Sequence, residues 1–258
     1  MKETSGLSKK RRPAYDFISQ AIEEIAAAVT KDFNEFFFGK DDDNERSTAQ
    51  ATPIDQFAKD YLGLSVSFAH LSSDGSLCGL TAYADTEYTI EEQGVKRTIP
   101  LKANQVLLDM SFIQPGQVHA LCGKRRFTLA HECAHQILFG MESDNDKRTH
   151  ESKYAPRAAY SLRDLKTRED WNEWQANVLG AAILMPQKEI DIAMRQFACG
   201  RVLKNFEGRF NYIDRLSLTL LCQALGVSKS AAIIRLRQLG YIEDRPLAEY
   251  DDPLEVWL

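Results

Sequence analysis

Residues 125–139 read RRFTLAHECAHQILF, with His131 and His135 four positions apart and Glu132 directly after the first histidine. On an α-helix, side chains at i and i+4 leave the same face one turn apart, so both imidazoles can direct a nitrogen at a single point. Two ligands for one metal ion follow from that spacing. Glu132 emerges about 100° round the helix from His131, which sets its carboxylate beside such an ion and outside the ligand set. A general base for metal-assisted hydrolysis belongs there. The flanking apolar residues make the helix a buried one, where histidines carry a desolvation cost unless something satisfies them. A hydrogen-bonded pair of core histidines is the competing account of the same pattern.

A catalytic zinc site takes three protein ligands and keeps a fourth position for water. The extended pattern HExxHxxGxxH is not met, because Leu138 and Met141 stand where it needs glycine and histidine, and a metzincin-type site is thereby excluded. The third donor must come from another helix. In NEWQANVLGAAILMP (172–186), Glu173 and Asn177 lie one turn apart on one face, and Gly180 and Ala181 continue a small-residue surface that lets a second helix come close. Glu173 is the leading third ligand, and Asn177 is placed to orient a histidine. Glu169, one turn earlier on a similar face, is the nearest rival, ahead of Glu142 and His150.

Through RFTLAHECAH and EWQANVLGAAILMP the chain resembles the ImmA/IrrE metallo-endopeptidases, and the resemblance extends to LGVSKSAAIIRLRQLG and loosely to the strand region from Ile54, covering residues 54–242. The resemblance implies a single-zinc protease of thermolysin-like arrangement, with His131, His135 and Glu173 as ligands and Glu132 as base. It also implies a protein substrate, a helix-turn-helix repressor of a mobile element or stress regulon, rather than DNA. Ala134 and Leu179 stand where many relatives carry glycine and phenylalanine, and neither is a proposed ligand.

Periodicity shows which elements must hold this arrangement. Ile18, Ile22, Ile25 and Val29 recur at helical spacing, giving an amphipathic helix from about Tyr15 to Phe33 that docks on another element. Residues 39–53, GKDDDNERSTAQATP, are charged and polar and read as a linker or mobile loop. From Ile54 a short helix leads to the alternating run LSVSFAHL, a turn at SSDG and a second β-like run, SLCGLTAYA, in the manner of a hairpin. A third strand, NQVLLDMSF, precedes the histidine helix. Residues 142–170 read as loop with short helical turns. The glutamate helix stops near Met185, since the residue before a proline is pushed out of the α region, and residues 188–199 and 213–242 are predominantly helical.

Strands first and helices after is the order of an α+β fold. The expectation is a small antiparallel or mixed sheet packed against a zincin-like helical core, with a C-terminal helix-turn-helix-like subdomain. Its boundaries are residues 1–53 for tail, helix and acidic linker, 54–187 for the metallopeptidase core and 188–258 for the C-terminal helical region.

Composition narrows the partners. With 32 basic and 37 acidic side chains in 258 residues the net charge is −5, which argues against the whole molecule acting as a clamp on nucleic acid. The basic run Lys9 to Arg12 reads as a solvated tail. The helix-turn-helix outline at residues 216–242, with Lys229, Arg235 and Arg237, still defines an alternative, a DNA-binding regulator with a structural metal. Glu132 speaks against it, because a structural zinc is closed by a fourth protein ligand and has no use for a base. No apolar run approaches the length of about 18 residues that a membrane-spanning helix needs.

Five cysteines, odd in number and widely separated, suit thiols in a reducing compartment and hence a cytoplasmic protein. Cys133 reads as a packed thiol, His70 and His119 as ordinary histidines, and Trp171 and Trp174 as packing residues. His150, Tyr154 and Tyr160 are candidates for stabilising an oxyanion.

Overall fold

The computed structural model describes residues 12–39, 46–92, 95–141, 152–154, 167–252 and 254. Glu142, His150, Tyr160 and the basic tail up to Arg11 lie outside the described residues, as does the side chain of Tyr154.

Helix α1 (Arg12–Phe38) is longer than its apolar stripe predicts. Its last turns are held by aromatic packing: the Phe33 ring meets Phe37, Phe57 and Tyr61 at centroid distances of 5.1, 5.2 and 5.7 Å. Ile22, Ala26 and Phe33 are buried, with Ile18, Ile25 and Val29 packed at their margin, so the predicted stripe is the docking face.

Residues 46–53, read as linker from their polarity, are instead tied down. Arg46 pairs with Glu189 at 2.6 Å, the Gln50 amide donates to the same carboxylate at 2.9 Å, and the Thr52 hydroxyl donates to the Ile183 carbonyl at 2.7 Å. Polar side chains here satisfy buried carbonyls and carboxylates, so polarity and solvent exposure part company.

A short helix, α2 (Ile54–Gln56), runs into a wider turn at Phe57–Tyr61. The strands that follow are β1 (Ser65–Ala69), β2 (Gly79–Ala82), β3 (Thr86–Glu92), β4 (Val95–Leu101) and β5 (Gln105–Asp109). The main sheet is completed by β6 (Ser152–Tyr154) and has the order β1-β5-β2-β6. The hairpin expected between β1 and β2 does not form, because β5 lies between them, parallel to β1 and antiparallel to β2. The reason is legible in burial: Val106, Leu107 and Leu108 are all buried, and a strand apolar on both faces belongs in the middle of a sheet. Asp109 closes the arrangement, its carboxylate accepting from the amides of Leu71 and Ser111. Strands β3 and β4 pair as a separate antiparallel ribbon that the sequence reading leaves unassigned.

The remaining helices are α3 (Val118–Met141), α4 (Arg168–Leu184), α5 (Gln187–Ala198), α6 (Tyr212–Leu225) and α7 (Lys229–Gln238). Thr167 and Asp170 form a capping box that starts α4 three residues earlier than its apolar run suggests, and Met185 ends it before Pro186 as expected. The C-terminal region is not wholly helical: β7 (Leu203–Phe206) and β8 (Ile242–Arg245) pair in parallel, with α6 and α7 as the connection between them. The fold is α+β.

One buried cluster joins Ile22 of α1, Val106 and Leu108 of β5, Leu129 of α3, Leu179 of α4 and Leu236 of α7. At its edge Arg235 of α7 is buried. Its guanidinium makes a two-pronged pair with Glu23 of α1, Nη2 lying 2.8 Å from Oε2, while Nε donates to the Met185 carbonyl at 3.1 Å. Removing one partner of a buried pair leaves the other charge uncompensated, at a cost of about 3–5 kcal/mol. Glu23→Ala is expected at the lower end, about 3 kcal/mol, because the Glu23 side chain is 32% exposed, and urea unfolding against the wild type measures it.

Candidate metal centre

The middle of α3, from Thr128 to His135, is buried without interruption. Polar ties hold it along its length. Arg125 makes two bonds to Asp55, at 2.8 and 2.6 Å. Arg126 donates to the carbonyls of Gly226 and Thr52. Gln136 donates to the Thr81 hydroxyl on β2 at 2.6 Å. The sequence reading passes over Gln136 and these arginines, although a polar residue one turn after Glu132 in an apolar run is a signal that something meets it.

Helix α4 comes against α3 at Gly180. A Cβ there would stand 3.0 Å from the His131 nitrogen and 3.1 Å from the Ala130 carbonyl, so the small-residue surface is used as predicted. Two turns earlier on α4, Glu173 reaches the histidines. Its Oε1 lies 3.3 Å from His135 Nε2 and its Oε2 lies 3.4 Å from His131 Nε2, while the two Nε2 atoms are 2.9 Å apart. Asn177 donates to the Glu173 carbonyl at 2.9 Å, and its amide favours the protonated form of His131. Glu169, the rival to Glu173, is exposed and outside this group.

His131, His135 and Glu173 are the group of histidine, cysteine and acidic side chains among the described residues whose donor atoms converge as a metal's ligands would. Donors about 2.0–2.1 Å from a tetrahedrally held ion stand about 3.3 Å apart, and the three separations here bracket that spacing. Two imidazoles and a carboxylate are also the donor types such an ion takes in catalytic sites. Beside them the Glu132 carboxylate is fully buried, and neither of its oxygens has a hydrogen-bond partner among the described residues. The residues fit a cation with an acid at its flank.

Burial sets the electrostatics. It pushes His131 down to about 4, aided by His135 and opposed by Glu173 and Asn177. It also pushes Glu173 up, but hydrogen bonds and charge from the two histidines outweigh it and hold that carboxyl well below the usual range. Burial, then the nearby Glu173 charge, raises Glu132 well above an ordinary glutamate. A neutral imidazole and an ionised carboxylate are the forms that bind a metal, so little proton displacement stands in the way.

The other residues singled out from sequence fall away from the centre. Cys133 is buried and its thiol is pushed up by burial. His70 and His119 are exposed. Trp171 and Trp174 pack edge to face at 5.6 Å. A cavity of about 670 Å³ between α1, residues 46–53 and the α4–α5 junction contains none of the site residues.

The Peptidase M78 family, described as the IrrE N-terminal-like domain, matches residues 122–237. That match, over a little less than half of the chain, supports membership of the ImmA/IrrE family. The match begins in α3 and ends in α7, so α1 and strands β1 to β5 lie outside it, a narrower span than the resemblance read from the sequence. The match supports a metallopeptidase-type function, and a peptidase family implies a protein substrate. No curated protein matches the chain.

Proton linkage fixes a direction for the metal-free protein. The unfolded chain protonates His131 near 6.5, whereas the folded chain refuses that proton down to about 4. Between those values the unfolded state holds more protons, so this contribution to stability is present at neutral pH and lost on acidification. Glu132, shifted the other way, loses its contribution as the pH rises. Comparing wild type with His131→Gln isolates the histidine: in chelator-treated protein, the wild-type urea midpoint is expected to gain on the variant as the pH rises from about 5 to about 7.

Proposed function

We propose that the protein is a zinc-dependent endopeptidase in which His131, His135 and Glu173 hold the metal and Glu132 is the general base. The observation that carries this reading is the convergence of three donors from α3 and α4 beside a buried carboxylate that no group among the described residues satisfies. A zinc ion in such a site polarises a scissile carbonyl and lowers the pKa of water toward neutrality. The chain's own part is to orient and to move protons. Glu132 Oε takes a proton from the attacking water and delivers one to the leaving amine, a task matched to a carboxyl whose proton affinity burial has raised. Asn177 ties its side chain to the Glu173 backbone beside His131, which helps keep the donors in register.

The substrate we propose is a helix-turn-helix repressor of a mobile element or stress regulon, as the family resemblance implies, with cleavage relieving repression. The cytoplasm is the compartment in which such a substrate is met, and all five cysteines are free thiols, which supports a reducing setting. No single described helix is long and apolar enough to cross a membrane.

One observation favours the alternative of a DNA-binding regulator: α6 and α7 meet at 103°, within the range of helix-turn-helix pairs. The charges run against it. Arg235 is buried on Glu23, Arg237 is paired with Asp244 at 2.9 and 3.0 Å, and Lys229 lies over the Phe210 ring. Two of the three cations that motivated the DNA reading are thus committed to carboxylates within the protein.

The test is to purify wild type and Glu132→Gln, measure bound zinc and incubate each with a helix-turn-helix repressor drawn from the neighbouring genes. Equal zinc and a loss of cleavage of about 100-fold or more are expected, the scale of general-base contributions. Unchanged proteolysis would remove Glu132 from its role, and tight binding of a specific duplex without proteolysis would favour the regulator. Asn177→Ala is expected to weaken zinc binding by about 10–100-fold in a competition titration while leaving the fold intact.

A further inference from the structure

Glu132 rests against the main sheet at Gly79, the first residue of β2. Gly79 is buried, and its backbone is not in the left-handed region, so conformational freedom does not explain a glycine there. Space does. A Cβ at this position would stand 2.8 Å from Glu132 Oε1, 3.4 Å from Glu132 Cδ and 2.6 Å from Thr128 Cγ2. The strand cannot retreat from such a collision, because Gly79 is paired with Leu108 of β5 on one side and Tyr154 of β6 on the other. Helix α3 cannot retreat either, being tied to β2 by the Gln136 bonds to Thr81 and Ala82. Thr128 is stiff at χ1, and its hydroxyl is engaged with the Lys124 carbonyl at 3.0 Å. Of the groups a Cβ would meet, the Glu132 carboxylate is the far end of a flexible side chain and has no hydrogen bond among the described residues to hold it in place. It is the group that would move.

We infer that Gly79 is a positioning residue, whose missing side chain forms the socket that seats the Glu132 carboxylate beside the His131, His135 and Glu173 cluster. The wall of that socket is strand backbone, so the carboxylate is placed by packing where no polar partner among the described residues places it. A general base works only within hydrogen-bond reach of the proton it takes, and a displacement of about 1 Å is costly to rate. The inference rests on the assignment of Glu132 as base for its catalytic consequence, but the contact itself is independent of that assignment.

Two measurements test it. In chelator-treated protein, a double-mutant cycle reads the contact without metal or substrate. Gly79→Ala is expected to lower the urea midpoint of the wild type, and to lower it less in the Glu132→Ala background. Additive losses would overturn the proposal. In zinc-loaded enzyme acting on that repressor, Gly79→Ala is expected to lower kcat at least about tenfold, with KM and bound zinc unchanged. Adding Thr128→Ser removes the methyl collision, so it is expected to recover part of the midpoint and none of kcat. If it restores kcat as well, or if Gly79→Ala leaves kcat untouched, Gly79 is a packing residue only. Should Glu132→Gln retain full cleavage while the cycle shows coupling, the base assignment fails and the socket stands.

Discussion

Helices α3 and α4 touch through bare backbone where Gly180 faces Ala130 and His131, and the rest of the molecule is arranged around that contact. Glu173 lies on α4 two turns before the crossing, so the distance between its carboxylate and the imidazoles is governed by how closely the helix axes approach. A methyl group at the crossing would demand a shift of a few tenths of an ångström from groups that are themselves main chain. The neighbouring elements keep the two helices pressed together. Helix α1 packs on α4, residues 46–53 bind its last turn through Thr52, and α7 reaches the carbonyl of Met185, which caps it, through Arg235. Arg126 ties α3 both to the α6–α7 turn and to residues 46–53.

The electrostatics follow from this close packing. Four ionisable side chains share this small volume, and on His131, Glu132 and Glu173 burial acts in the direction of the neutral form. Mutual proximity then sorts them. Glu173 keeps its charge because two imidazoles face it; Glu132, buried and beside that charge, is driven the other way. His131 stays neutral well below physiological pH. Two carboxyls in one small space thus acquire opposite tendencies, one to stay ionised and one to hold a proton, and that division of labour is common to sites that move protons.

Much of the centre was legible in the chain because it rests on local periodicity. The i, i+4 spacing of His131 and His135, the one-turn offset of Glu173 and Asn177, and the small residues at 180 and 181 each have a direct geometric meaning on a helix. The strand order was less accessible. Whether β1 pairs with β2 or with β5 is a choice between two similar apolar runs, and it turns on β5 being buried on both faces, a tertiary fact. The short parallel pair of β7 and β8 escaped for a related reason: its strands are four residues long and separated by two helices whose periodicity dominates that region. Polarity misled at residues 46–53, where the polar atoms face inward on carbonyls and carboxylates. Gly79 carried a signal that could have been used, since an isolated glycine inside a strand often marks a close approach.

The pairing of Arg235 with Glu23 bears on how far the family-matched span can be treated as a module. A fragment excised at residues 122–237 would keep the guanidinium and discard the acid that neutralises it. It would also lose Asp55 from beneath Arg125 and the β2 backbone from beneath Glu132. Recombinant work confined to that stretch would therefore begin with a stripped apolar flank and an orphaned buried cation, and swapping the stretch between relatives would require carrying the first helix and the sheet along with it.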